Sequence, residues 1–183
     1  MNEKGLSAGL FYFPDYGKYE EYSEANYETN ISDFQLVSYI LGRCATVDEV
    51  KAEIARVHIH GFDPRSSTVH WRFAEPSGRQ IVLEIIDGKC VFYENKLGVL
   101  TNSPSFDWQL TNLNNYVNLM PGRTEPHTIG NMSLSSFGGG SAMIGLPGDF
   151  TPPSRFVRAA FFQSTAPQKR DAAGSVFTAF HIL

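Results

Sequence analysis

The chain has 183 residues, enough for one ordinary domain with a sizeable core. Hydrophobic residues at 42% and charged residues at 19% exclude a disordered, collagen-like or charge-rich repeat protein. Lys and Arg number 15 against 19 Asp and Glu, a net charge of −4, and no basic patch is interleaved with aromatics, which argues against nucleic acid as a partner.

The first strand signal is residues 5–13, rich in small and aromatic side chains and stopped by Pro14. Residues 15–30 carry no clear period and read as a long surface loop. A helix follows, with Ser32 or Asp33 as its cap, Phe34, Val37, Ile40 and Leu41 at helical spacing, and Gly42 as its stop. The next helix opens with the capping box Thr46-Val-Asp-Glu49 and continues through an apolar stripe of Val50, Ile54 and Val57. His58 and His60 then fit either two imidazoles on one strand face or a strand-to-loop segment before Gly61.

The sheet signals are the strongest. Residues 69–73 alternate, and residues 80–86 are apolar on both faces. Asp87-Gly88 is a hairpin turn of the primed type leading into residues 90–93, and residues 98–101 give a fourth short strand. A two-sided apolar strand in an antiparallel run implies a sheet covered on both faces. Residues 106–119 read as a helix, and residues 121–140 as a Gly-, Ser- and Pro-containing excursion from the core. Residues 147–153 form a rigid turn, after which Ser154 caps a helix through Phe161. Residues 172–183 give a last helical pattern.

No apolar stretch approaches the ~18 residues of a membrane span, and residues 1–5 are not followed by the apolar core of a signal peptide. The expectation is therefore a soluble, cytoplasmic protein with no membrane partner. Cys44 and Cys90 form neither a disulfide framework nor a C-x-x-C pair, and the five histidines do not stand at zinc-ligand spacing with them. No nucleophile elbow, phosphate loop or metal-binding helix is present. Two polar positions stand out. Asn102, in Thr101-Asn-Ser-Pro104 at the end of an apolar run, either points into a cleft or makes a local turn hydrogen bond. Arg155 lies at a helix start, where a cation opposes the helix dipole, so it suits an ion pair or an anionic site. The residues by themselves describe an α+β domain with an amide- and Arg-lined cleft.

Four strings carry a family likeness: Met1-Asn-Glu-Lys-Gly-Leu6, Leu41-Gly-Arg-Cys-Ala-Thr-Val-Asp-Glu-Val50, Gly98-Val-Leu-Thr-Asn-Ser-Pro-Ser-Phe-Asp-Trp-Gln109 and Gly145-Leu-Pro-Gly-Asp-Phe-Thr-Pro-Pro-Ser-Arg-Phe156. In this order they resemble the choloylglycine hydrolase and penicillin V acylase family of N-terminal-nucleophile hydrolases. The resemblance implies an αββα four-layer sandwich with antiparallel sheets covered by helices. It implies cleavage of a small-molecule linear amide, penicillin V or a conjugated bile salt, with no cofactor and no metal. In the family an N-terminal cysteine thiol attacks the amide carbonyl while its own α-amine, with a pKa near ~7.7–8.0, serves as base. The carry-over makes Asn102 and Tyr12 oxyanion-side residues, with Tyr at the latter position favouring the penicillin V branch. Arg155 faces the nucleophile, and Phe62 lines the apolar side of the substrate.

The departure from the family is at the nucleophile. Residue 2 is Asn, and neither Cys44 nor Cys90 offers an α-amine beside its thiol. The sequence therefore reads as residues 1–183 of a single incomplete domain, lacking the N-terminal nucleophile strands and the C-terminal strands, and inactive by itself. The resemblance of residues 118–140 to a projecting family segment implies a homotetramer for the full-length protein. The reading of a different class is a non-catalytic binding or assembly module that keeps the scaffold.

Overall fold

A computed structural model describes residues 1–63, 65–169 and 171–182. The chain divides into two units, Met1–Trp108 and Gln109–Leu183.

The first unit is built on a four-stranded antiparallel sheet in the order β1 (Ser7–Tyr12), β4 (Val69–Ala74), β5 (Gln80–Ile86), β6 (Lys89–Glu94). Between β1 and β4 in sequence lie β2 (Asn30–Ser32), α1 (Leu36–Leu41), α2 (Val47–Ile54) and β3 (His58–His60), with β2 and β3 paired in parallel. Two-residue alternation sorts the sheet's side chains. Val69, Trp71 and Phe73 share one face with Ile81, Leu83 and Ile85, and they form one core with Leu36 and Ile40 of α1 and Val47, Val50 and Ile54 of α2. The opposite face carries His70, Val82 and Glu84, all fully buried. The central strand β5 is thus covered on both sides, as its apolar run requires.

Local signals account for most boundaries. The Thr46 hydroxyl accepts the Glu49 N–H at 3.2 Å while the Glu49 carboxylate accepts the Thr46 N–H at 3.3 Å, so the expected capping box is formed. A second carboxylate, Glu75 from the β4–β5 turn, accepts the Val47 N–H at 2.8 Å and fixes the start of α2 to the sheet. Asp87 and Gly88 both have positive φ, 49° and 72°, which suits the twist of the β5–β6 hairpin.

Several expectations are corrected. Residues 98–101 do not form the fourth strand; β1 takes that place by pairing with β4. The segment is held by side chains instead. Asn95 Nδ2 donates to the Val99 carbonyl at 3.0 Å, its Oδ1 accepts the Gly98 N–H at 2.8 Å, and Gly98 itself sits at φ 69°. Neither Ser32 nor Asp33 caps α1, because Ser32 belongs to β2 and the helix starts after Gln35. The helix expected over residues 106–119 is α3 (Phe106–Asn112) followed by a 3-10 turn, Leu113–Tyr116.

The second unit contains a small hairpin, β7 (His127–Ile129) and β8 (Met132–Leu134), and two helices, α4 (Pro152–Thr165) and α5 (Ala172–Ile182). The hairpin lies in the expected excursion, and Gly130-Asn131 is its turn signal. Leu183, the last residue of the expected terminal helix, lies outside the described residues. Ser154 does not cap α4. The helix begins earlier because Pro152 and Pro153 fit its first turn, and Thr151 is the cap position. Ser154 instead donates its hydroxyl to Asp149 at 2.7 Å, and Asp149 also accepts the Thr151 N–H at 2.9 Å. These bonds, led by that from Ser154, hold the Asp149 carboxyl down at about 2.

Two outcomes follow from these contacts. Thr46→Ala removes the capping hydroxyl and is expected to lower stability by about 1 kcal/mol in urea denaturation. The Asp149 contribution is present above the ordinary carboxylate pKa of ~3.9 and is lost as pH falls through about 2. Asp149→Asn is accordingly expected to be less stable than wild type at pH 5, with the difference vanishing near pH 2 in thermal melts across that range.

Candidate functional site

Tyr12 ends β1, opposite Val69 of β4. Asn102 reaches this strand end from the other side. Its Nδ2 donates to the Tyr12 carbonyl at 2.8 Å, and the neighbouring Ser103 hydroxyl donates to the Pro14 carbonyl at 2.6 Å. Two of the four expected site residues are therefore joined through a backbone contact spanning ninety positions. The Tyr12 side chain itself is exposed. The Asn102 amide bonds backbone across the fold and not within a local turn.

The segment carrying Asn102 is gripped from beneath. His70 Nε2 lies 3.1 Å from the Thr101 carbonyl, and Glu84 Oε1 accepts the Phe106 N–H at 2.9 Å. His70 Nδ1 and Glu84 Oε1 are 3.0 Å apart, and both side chains have no exposed surface. The His70 ring stacks on Phe13, with centroids 4.5 Å apart and planes 10° from parallel. Glu84 Oε2 is buried with no hydrogen-bond partner among the described residues. Sequence reading passed over this pair. The available signal was Glu84 itself, a carboxylate at the centre of a strand apolar on both faces.

Phe62 is 71% exposed and meets the half-exposed Phe34 edge-to-face, with centroids 6.3 Å apart. Its backbone is fixed by the fully buried Asp33, whose Oδ1 accepts both the Phe34 N–H at 2.8 Å and the Phe62 N–H at 3.1 Å. The Tyr19 hydroxyl accepts the N–H of Val69, Tyr12's partner in the sheet, at 2.6 Å. Burial, with Asp33 adding its charge, pushes that phenol well above its ordinary range. Arg155 belongs to the second unit, in the first turn of α4, where its Nε donates to the Phe150 carbonyl at 3.1 Å.

Asn2 is a structural tie. Its Nδ2 donates to the Leu41 and Cys44 carbonyls at 2.9 and 2.7 Å, and its Oδ1 accepts the Leu6 N–H at 3.0 Å. Burial pushes the Cys44 thiol up, and loss of solvent around the Cys90 sulfur, with the Glu20 carboxylate, does the same there. Both are poor sources of thiolate. His58 Nδ1 pairs with Glu20 at 2.8 Å, and His60 Nδ1 lies 3.1 Å from the Gly61 carbonyl. Among the described residues, no group of three His, Cys, Asp or Glu is placed to hold a metal ion, and no helix is long and apolar enough to cross a membrane.

A family model described as linear amide C-N hydrolases, choloylglycine hydrolase family, matches residues 1–183. A bile salt hydrolase/transferase of Clostridium perfringens is 37% identical over 188 residues, covering 100% of this chain and 56% of that protein. A penicillin V acylase of Pectobacterium atrosepticum is 32% identical over 170 residues, covering 88% of this chain and 39% of that one. A crystal structure of a conjugated bile acid hydrolase variant from Clostridium perfringens matches with a TM-score of 0.84 at 34% identity, over 100% of this chain and 58% of its own. The chain thus spans little more than half the length of such relatives, and its α+β arrangement of an antiparallel sheet with helices is their fold. With the match running from the first residue to the last, this chain belongs to the choloylglycine hydrolase family of linear amide C-N hydrolases.

Proposed function

We propose that these residues are the interior of a single N-terminal-nucleophile hydrolase domain that cleaves a linear amide of the conjugated bile salt or penicillin V class. The carrying observation is the contact between Asn102 and the end of β1, which puts a side-chain amide at the strand end bearing Tyr12. Donors held before the substrate arrives are what a developing tetrahedral oxyanion needs, because they cost no reorganisation when the charge forms. Asn102 takes that role, Tyr12 stands beside it, and Arg155 stabilises negative charge at the attacking sulfur. Phe62, with Phe34 beside it, offers an apolar surface to the acyl side of the substrate.

The attacking group is an N-terminal cysteine encoded outside this chain. Cys44 and Cys90 do not replace it. Each lacks an adjacent α-amine to take the proton, and desolvation keeps each thiol protonated near neutral pH. Tyr12 favours penicillin V by the family pattern, while the 37% identity to a bile salt hydrolase/transferase favours conjugated bile salts. The unpaired cysteines fit a cytoplasmic setting. The exposed side chains of Met120, Ile129, Met132 and Phe137 fit a role for this segment in a homotetramer of the full-length protein.

The 183-residue chain is expected to show no turnover of glycocholate or penicillin V in an amine-release assay, whereas the complete reading frame hydrolyses at least one. Failure of the complete protein on both substrates would establish the non-catalytic scaffold module instead. In that complete protein, Asn102→Ala is expected to lower kcat by about 10²–10³ with KM little changed, as for loss of one oxyanion donor. An unchanged kcat would remove Asn102 from the reacting centre.

A further inference from the structure

We propose that the buried His70–Glu84 pair is the positioning device for Asn102, acting through one proton held between His70 Nδ1 and Glu84 Oε1. The inference deepens the hydrolase reading, on which Asn102's catalytic role rests, but its geometry stands apart from turnover.

The proton count follows from the partners. The Thr101 carbonyl can only accept, so at 3.1 Å His70 Nε2 must carry the hydrogen. The Phe106 backbone N–H can only donate, so Glu84 Oε1 must accept it at 2.9 Å. Nδ1 and Oε1 face one another at 3.0 Å, a separation that calls for one hydrogen between them. The pair is then either imidazolium with carboxylate or imidazole with carboxylic acid, and it carries no net charge in either form. With two protons between these atoms or none, a donor faces a donor or an acceptor an acceptor, and the contact that braces ring against carboxylate opens. The close approach of Nδ1 and Oε1, added to the two backbone bonds, is what selects the single shared proton.

The consequence reaches Asn102 through rigid geometry. Thr101 O belongs to the peptide plane that ends at the Asn102 Cα, so holding that oxygen sets the orientation of the whole plane. Four residues on, Glu84 holds the first amide of α3. The short stretch between the two grips bears Asn102 and Ser103, whose side chains bond Tyr12 O and Pro14 O. Stacking of the His70 ring on Phe13, the residue after Tyr12, couples the imidazole to the same strand end. Ring and carboxylate are fully enclosed, which leaves water no place in the pair. His70 and Glu84 are positioning residues; nothing assigns them contact with the reacting atoms.

The test uses the complete reading frame, labelled for NMR. In the wild type, the His70 nitrogen shifts should show Nε2 protonated; an unprotonated Nε2 would overturn the proposal, and this reading needs no variant to fold. In Glu84→Gln the side-chain oxygen still matches the Phe106 N–H, but it brings no proton to Nδ1. Exchange of the Asn102 side-chain amide should then quicken by about tenfold or more, the scale of one lost charge-assisted hydrogen bond. Val82→Ala is the comparator, since it loosens the same sheet face without touching a polar group. At matched global stability its Asn102 exchange should stay within about twofold of wild type. Equal acceleration in the two variants would make the pair merely structural. None of these readings depends on hydrolysis, so a complete protein without amide turnover would sink the proposed function and leave this assignment standing.

Discussion

Two central strands, β4 and β5, buried on both faces set the terms for everything around them. On the helix-packed face of β4 and β5 the demand is met by apolar side chains alone, and Trp71, Phe73, Ile81 and Leu83 have no exposed surface. On the other face lies a chain segment, residues 101–106, that is not a strand and whose backbone groups meet the sheet without a ladder to join. A buried unpaired backbone group costs about 1–3 kcal/mol, so this segment cannot simply rest on valines. His70 and Glu84 are the response: one supplies a donor, the other an acceptor, and each neutralises the other's need.

How far the sequence foretells this depends on whether a feature is local. The Thr46-to-Glu49 box and the Asp87-Gly88 turn are complete in four and two residues, and both form as their chemistry demands. The double covering of β5 was also legible, because seven residues without a polar face need cover on each side. The missing strand at residues 98–101 shows where such reading stops. Val99 and Leu100 have strand-like side chains, but Asn95 and Gly98 close a side-chain-bonded turn, and His70 claims the Thr101 carbonyl from 31 positions away. A long-range side-chain bond leaves no period in the sequence. Ser154 failed for a different reason: proline tolerates the first helical turn, so the helix started before the residue that looked like its cap.

The candidate site divides along the same line. Tyr12, Asn102, Arg155 and Phe62 were named through the family likeness, and the fold joins Tyr12 to Asn102 directly. The residues that hold these in place, Asp33 under Phe62 and the His70–Glu84 pair under Asn102, lie in no motif. Each is an ionisable side chain at a position where burial would favour an apolar one, and each bonds a backbone group distant in sequence, 29 positions away for Asp33, 31 for His70 and 22 for Glu84. Asp33 does for the Phe34 and Phe62 amides what Glu84 does for Phe106.

Retention of such groups needs an explanation beyond stability. Replacing a buried ion pair by well-packed apolar residues is often neutral or stabilising by about 1–4 kcal/mol, so burial of His70 and Glu84 is not explained by their mutual attraction. The comparison changes once their outer partners are counted. An apolar pair at these positions would remove the bonds that His70 and Glu84 make to the Thr101 carbonyl and the Phe106 N–H, at about 1–3 kcal/mol apiece, which offsets the gain. The segment could escape that cost only by moving off the sheet, and Asn102 would move with it. Fixing one amide at the end of β1 therefore requires that donor and acceptor come from the sheet itself, and a neutral two-residue pair sharing one proton supplies both.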